Sequence, residues 1–276
     1  MTLLTTQDPI RLVQITDTHL YGNASGTLLK MNTQQSLEQV VKLLQANQPQ
    51  LDFILATGDI AQDGSKDAYE YFLEKMQELD TPLTWVPGNH DNAQLMDSVS
   101  SESSVADASV ADKKVQINNW LIVFLNSSVA GQVHGRIDKN EYDFLNECLS
   151  VADSDASVDH CLLCLHHNPV KGNADWMRDI GLQDGDRFFE TVGQYPKVKC
   201  VVYGHVHQEL DFDHRGIRCI CTPSTCIQFK PDVAHFTLDE TKPGYRSMEL
   251  FSNGEIKTEV HRIASDLSAD MDSTGY

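Results

Sequence analysis

No apolar run in this chain approaches the length of a membrane-spanning helix; the longest, Trp120 to Leu125 and Cys161 to Leu165, are strand-sized. Basic residues are scarce, 21 against 40 acidic ones for a formal net charge of −19. That shortage argues against nucleic-acid or anionic-membrane partners, which need basic patches. It leaves room for a single phosphate group as substrate, because bound divalent cations invert the field locally. The N-terminal stretch, with Asp8 and Pro9 ahead of the first apolar run, lacks the basic region and long apolar segment of a signal peptide. A cytoplasmic location is the expectation. Seven cysteines, an odd number, argue against a disulfide framework in such a place. Cys161 and Cys164 form a C-x-x-C, but inside an apolar run, so they read as buried strand thiols. No linker divides the chain. We expect one domain over residues 1–263, with short antiparallel strands from about 210, and a loosely held polar tail over 264–276. Oligomeric state has no signature here.

What the chain does have is a series of apolar strands that end abruptly in polar residues. The plainest is Trp85-Val86-Pro87-Gly88-Asn89-His90-Asp91, where a strand stops at a turn and presents an amide, an imidazole and a carboxylate. Ile10 to Ile15 likewise ends in Thr16-Asp17-Thr18-His19, and extended geometry would point Asp17 and His19 the same way. Leu51 to Thr57 ends in Gly58-Asp59, with Asp63 one turn on as an outer-shell or helix-start residue. Cys161 to Leu165 ends in His166-His167-Asn168-Pro169, where alternation would send the two imidazoles to opposite sides. Lys199 to Tyr203 ends in Gly204-His205-Val206-His207, with the same two-residue spacing. Helices are expected from Thr33 to about Ala46 with Pro49 as a stop, over Ser65 to Leu79, after Asp138, and over Asp186 to Val192. Ser-, Ala- and Asp-rich stretches at 97–112 and 150–159 read as exposed loops or frayed helix ends, and His134 as a possible pocket residue.

Asp, Asn and His supply O and N donors suited to zinc, iron(II), manganese or cobalt. Asp17, His19, Asp59, Asn89, His166, His205 and His207 are too many for one tetrahedral ion. They suit two divalent ions bridged by a shared carboxylate.

In this order, Asp-x-His, Gly-Asp, Gly-Asn-His-Asp, a later His and Gly-His-x-His resemble the calcineurin-like metallophosphoesterases. The likeness is closer to the bacterial class III cyclic-nucleotide phosphodiesterases, the CpdA-type cyclic AMP phosphodiesterases, and extends through Thr222 to Pro231. The resemblance implies a four-layer α/β/β/α sandwich of two mixed sheets, with the site at the strand ends. It implies one metal on Asp17, His19, Asp59 and His207, and another on Asp59, Asn89, His166 and His205. His166 is preferred to His167 because the family's ligand directly follows the strand. A hydroxide held between the cations would attack a cyclic phosphodiester, cyclic AMP giving 5′-AMP, with His90 as general acid. His19, Asp59, Asn89, His90, His166 and His207 would contact substrate. The Ser/Thr phosphatase branch places an Arg soon after Gly-Asp and a Glu after Gly-Asn-His; here Ile60 to Gly64 and Asp91 occupy those places. Two alternatives stand beside this reading: a broad phosphodiesterase acting on 2′,3′-cyclic nucleotides or other small diesters, and a metal-stabilised cyclic-nucleotide binding protein.

Overall fold

The computed structural model describes residues 2–48, 50–102, 112–172 and 174–275. The first half runs β1 (Thr2–Leu4), β2 (Ile10–Ile15), a ribbon of β3 (Thr27–Leu28) and β4 (Met31–Asn32), α1 (Thr33–Asn47), β5 (Phe53–Ala56), α2 (Lys66–Gln77), β6 (Leu83–Trp85) and α3 (Ala93–Glu102). The second runs β7 (Lys114–Ile117), β8 (Trp120–Phe124), α4 (Lys139–Ser154), β9 (His160–Cys164), α5 (Gly185–Val192) and β10 (Val198–Tyr203). Three antiparallel pairs follow: β11 (Leu210–His214) with β12 (Ile217–Cys221), β13 (Gln228–Phe229) with β14 (Leu238–Asp239), and β15 (Gly244–Leu250) with β16 (Ile256–Arg262).

The strands form two principal sheets, one of seven strands in the order β1-β7-β8-β9-β10-β12-β11 and one of five in the order β16-β15-β2-β5-β6. Their apolar runs are continuous because both faces of each sheet are covered. In β8, Trp120, Ile122 and Phe124 face the other sheet, while Leu121 and Val123 pack towards α4 and α5. In β2, Ile10 and Leu12 turn inward and Val13 and Ile15 pack with α1 to α3. Three cores between four layers result, the α/β/β/α sandwich. The β2-α1-β5-α2-β6 and β8-α4-β9-α5-β10 paths keep their strands parallel. All the strand ends that carry polar residues therefore lie on one edge.

Several expectations change. Beyond residue 210 the strands are not all antiparallel to their neighbours: β12 lies parallel to β10, with Val201 opposite Cys219. The Ser/Ala/Asp-rich segment begins as α3, whose Met96 and Val99 are buried, and residues 103–111 lie outside the described residues, as does Pro49. Cys161 and Cys164 occupy different cores on opposite faces of β9, and all seven thiols are free and buried. The C-terminal stretch is tied down: Leu267 packs with the α1–α3 core, Asp270 N–H donates to Leu29 O (2.7 Å), and Lys30 pairs with the Asp270 carboxylate (2.7 Å). No helix among the described residues is long and apolar enough to cross a membrane.

Phe124 is 1% exposed in the core between the sheets. Phe124→Ala is expected to cost ~3–5 kcal/mol in urea unfolding; a loss below ~1 kcal/mol would mean the sheets do not close on one another there.

Candidate metal centre

Close approach of the strand-end loops depends first on backbone geometry. Asp17 (φ 53°), His19 (φ 46°), Asp59 (φ 48°), His205 (φ 69°) and His207 (φ 47°) all sit in the left-handed region, which is costly for residues with a Cβ and clusters at functional sites. Extended alternation is therefore not what brings Asp17 and His19, or His205 and His207, to a common point. Two glycines are obligatory for contact. A Cβ on Gly88 would lie 2.1 Å from Asp59 Oδ1, and one on Gly204 would lie 2.1 Å from Thr16 Oγ1.

Asp91 locks the turn. Its carboxylate accepts N–H groups from Gly88 (2.9 Å), Ala61 (2.9 Å) and Ile60 (3.1 Å), tying the Gly-Asn-His-Asp loop to the Gly-Asp loop. Burial, then the nearby Asp59 charge, push its pKa up to about 6 against the pull of those donors. Asp17 is held by the His205 N–H (3.1 Å to each oxygen) and the Thr16 hydroxyl (2.7 Å).

Around this frame the described side chains converge. Asp17 Oδ1 is 3.3 Å from His207 Nε2, and His207 Nε2 is 3.0 Å from His19 Nε2. Asp59 Oδ2 lies 3.2 Å from His166 Nε2 and 3.9 Å from His19 Nε2, while its Oδ1 accepts the His90 N–H (2.9 Å). Asn89 Oδ1 is 3.3 Å from His166 Nε2. The His205 ring is 5.0 Å from that of His166, and the His90 ring 5.2 Å from that of His19. One Asp59 oxygen thus stands between two groups of donors.

The histidines are oriented from behind. His166 Nδ1–H donates to Thr57 O (2.8 Å), His207 Nδ1–H to Ile227 O (2.8 Å), His205 Nε2–H to Ile180 O (3.0 Å) and His19 Nδ1 meets Gln62 Oε1 (2.6 Å). Each ring turns its other nitrogen towards the cluster, the arrangement by which outer partners fix metal-ligating imidazoles. The facing ring nitrogens and carboxylate oxygens stand 3.0 to 3.3 Å apart. The same spacing is what ligands share around one cation at bonds of ~2.0–2.2 Å. The residues therefore fit divalent cations.

His167 also lies in the cluster, its ring 4.9 Å from that of His166, so the two do not face opposite sides as alternation suggested. What separates them is hydrogen bonding. The Ser127 hydroxyl donates to His167 Nδ1 (2.8 Å) and Nε2–H donates to Val133 O (3.1 Å), which leaves no lone pair. Asp63 stands outside, exposed, accepting from Gly22 and Ser65 N–H. His134 belongs to none of the groups of metal-capable side chains among the described residues. Sequence reasoning missed Gln62 and the Thr57, Ile180 and Ile227 carbonyls. The carbonyls leave no trace in residue type; for Gln62 the sole signal is its place three residues beyond Asp59.

Burial drives the pKa of His19 down to about 3 despite Asp59, and that of His205 to about 3, aided by His166. Both are neutral at pH 7 and able to donate lone pairs. Burial also works to lower His166, but the Asp59 carboxylate, the hydrogen bond to it and Asp17 prevail and raise it to about 9. Against their own burial, Asp17 is held below the usual carboxylate range chiefly by His207, and Asp59 well below it chiefly by His166.

A known family matches this layout. The chain belongs to the calcineurin-like phosphoesterases, whose pattern spans residues 10–209. It is 39% identical to the 3′,5′-cyclic adenosine monophosphate phosphodiesterase CpdA of Escherichia coli (strain K12), over 97% of this chain and 95% of that protein. It is 38% identical to the protein of the same name from Pseudomonas aeruginosa, over 98% and 97%. A dimetal phosphatase from Danio rerio shares the fold, with a TM-score of 0.62 over 93% of this chain and all of that one at 15% identity.

The raised His166 gives a pH test. A histidine whose folded pKa exceeds its unfolded value near 6.5 stabilises the fold fully below 6.5, and that contribution is lost as pH rises through about 9. From about pH 7.5 upwards, a unit above the unfolded value, His19 and His205 are almost wholly neutral folded or unfolded and add almost no slope. We expect the His166 ring of chelator-stripped protein to titrate near 9 by NMR, with the unfolding midpoint falling between pH 6.5 and 9. Titration near 6.5 would contradict the pairing with Asp59.

Proposed function

We propose that this chain, as one domain over residues 1–263, hydrolyses 3′,5′-cyclic AMP to 5′-AMP using two divalent cations drawn from iron, manganese, zinc and cobalt. One cation would be held by Asp17, His19, Asp59 and His207, and the other by Asp59, Asn89, His166 and His205. The observation that carries this reading is the Asp59 oxygen set between two groups of outward-anchored imidazoles, 3.2 Å from His166 and 3.9 Å from His19. The substrate comes from the 38–39% identity to cyclic AMP phosphodiesterases over nearly the whole chain.

When bound, the cations would lower the pKa of a water and offset the charge growing on the phosphoryl oxygens. The protein's own residues do the rest. The reaction adds water across the P–O3′ bond: a water oxygen joins phosphorus and releases one of its protons to solvent, while the P–O3′ bond breaks and O3′ takes up a proton from a group that solvent then reprotonates. His90 supplies that proton. It is half-buried at the cluster's rim, its main chain is fixed by the bond to Asp59 Oδ1, and its ring nitrogen lies within 4.8 Å of donors from His19 and Asp59. Asn89 adds a neutral oxygen beside His166, which keeps negative charge low where an anionic diester must sit.

His90→Ala is expected to keep its metal content and lose ~10²–10⁴-fold in kcat, whereas Asp59→Ala loses metal as well. Metal analysis beside steady-state rates separates the two, and full turnover in His90→Ala removes the acid role. Initial rates on 3′,5′-cyclic AMP, 2′,3′-cyclic AMP and a nitrophenyl diester test the substrate, with the first expected to be fastest. Faster turnover of either of the others gives a broad diesterase, and intact cyclic AMP after long incubation with metal-loaded protein gives a binding protein.

A further inference from the structure

We propose that a cavity beside His166 and His205 receives the adenine ring of cyclic AMP and that Asn168 reads its exocyclic amine, a proposal that rests on the reading of the chain as a cyclic AMP phosphodiesterase. The cavity, of about 370 Å³, lies between the loop after β9 and the outer face of the seven-stranded sheet. Val170 and Met177 of the loop, Val206, and Leu210 and Phe212 of β11 line it. Its walls are continuous with the metal-capable cluster. Asn168 is two residues beyond His166, and Val206 stands between His205 and His207. Ile180, whose carbonyl holds the His205 ring, donates its N–H to Met177 O (3.4 Å). With the phosphate at the cations, the ribose would carry the base to this flank.

The chemistry of the walls selects a flat, neutral group that bears an amine. Apolar side chains dominate, and Met177 brings a polarisable sulfur suited to an aromatic ring. Lys171 and Asp232 also line the cavity, one charge of each sign, so the walls favour neither an anion nor a cation. Asn168 is 3% exposed, and its Oδ1 has no hydrogen-bond partner among the described residues. The orientation of that amide is set from two sides. Nδ2–H donates to Val170 O (2.8 Å), so a flipped amide would put oxygen against oxygen, and a Cβ on Gly181 would lie 2.7 Å from the same nitrogen. A buried carbonyl oxygen without a donor is costly until a ligand supplies an N–H. Gln208 lines the cavity as well, and its Nε2 reaches only the Met177 sulfur (3.8 Å) among the described residues. An acceptor from Asn168 and a donor from Gln208 match adenine, whose amine donates beside a ring nitrogen that accepts. Guanine puts a carbonyl oxygen where that amine would be.

Steady-state rates of Mn²⁺-loaded full-length protein on cyclic AMP, cyclic GMP and methyl nitrophenyl phosphate, a diester without a purine, test this. Asn168→Ala removes the acceptor. Gly172→Phe adds bulk at a lining position where a Cβ would meet only Met177 Cβ, at 3.8 Å. Circular dichroism and bound Mn²⁺ check that each variant folds with its centre loaded. In Asn168→Ala the kcat/KM ratio of cyclic AMP to the nitrophenyl diester is expected to fall ~10-fold or more, mainly through KM, and the ratio of cyclic AMP to cyclic GMP to fall with it. Gly172→Phe is expected to lower the first ratio by a similar factor, and it decides alone if Asn168→Ala does not fold. A loss shared equally by the nitrophenyl diester, an unchanged purine preference in Asn168→Ala, or a first ratio within twofold of wild type overturns the proposal. If wild type turns over the nitrophenyl diester but forms no 5′-AMP from cyclic AMP, the underlying reading of the function fails instead.

Discussion

A single carboxylate oxygen, Asp59 Oδ2, stands where the strand-end loops of the two halves of the sandwich meet. The loop after β5 brings it within reach of His166 from the seven-stranded sheet and of His19 from the five-stranded one. Its partner oxygen is spent on the His90 amide. Moving Asp59 would separate two donor groups that, among the described residues, Asp17 also approaches. The left-handed backbone at Asp17, His19, Asp59, His205 and His207 is strain concentrated where the loops meet. Cores of fully buried strands on three levels supply the rigidity that holds it.

Polar groups follow the same logic further back. The core between the sheets is apolar through most of its length, then turns polar near the centre. There Gln14 donates to Thr57 Oγ1 (2.8 Å) and Tyr203 O (3.0 Å), and Arg246 reaches Cys221 O (2.9 Å) and Thr222 Oγ1 (3.2 Å). Those to Tyr203, Cys221 and Thr222 join opposite sheets beneath the strand ends, and the bond to Thr57 ties β2 to the end of β5. Satisfied networks of this kind favour one arrangement over near alternatives.

Much of this was legible in the sequence because strand ends advertise themselves. An apolar run that stops at Gly-Asp or Gly-Asn-His-Asp reveals both the strand and the side chains offered at its end, and Asp17, Asp59, Asn89, His166, His205 and His207 lie together in the fold. The path to that convergence was not legible. Positive φ at Asp17 and His19 cannot be seen in Asp-x-His, so extended alternation points to residues that do converge, but by the wrong geometry. At His166-His167, residue type could not say which ring had a nitrogen to spare. Ser127 and Val133, far away in the chain, engage both nitrogens of His167. Parallel pairing of β12 with β10 was hidden for a related reason: a hairpin signal gives the partner in the turn and is silent on the neighbour beyond it.

The seven buried cysteines have a use unconnected with catalysis. Burial raises their thiol pKa values, to about 12 for Cys161, Cys219 and Cys226, so in the closed protein they are unreactive as well as shielded. Cys164 and Cys200 sit between the sheets, while Cys148, Cys161, Cys219, Cys221 and Cys226 sit beneath the outer helices or the loops around them. Alkylation of each sulfur is thereby a clock for the opening of its own layer. The order in which they are labelled would record how the sandwich breathes, without a probe having to be added.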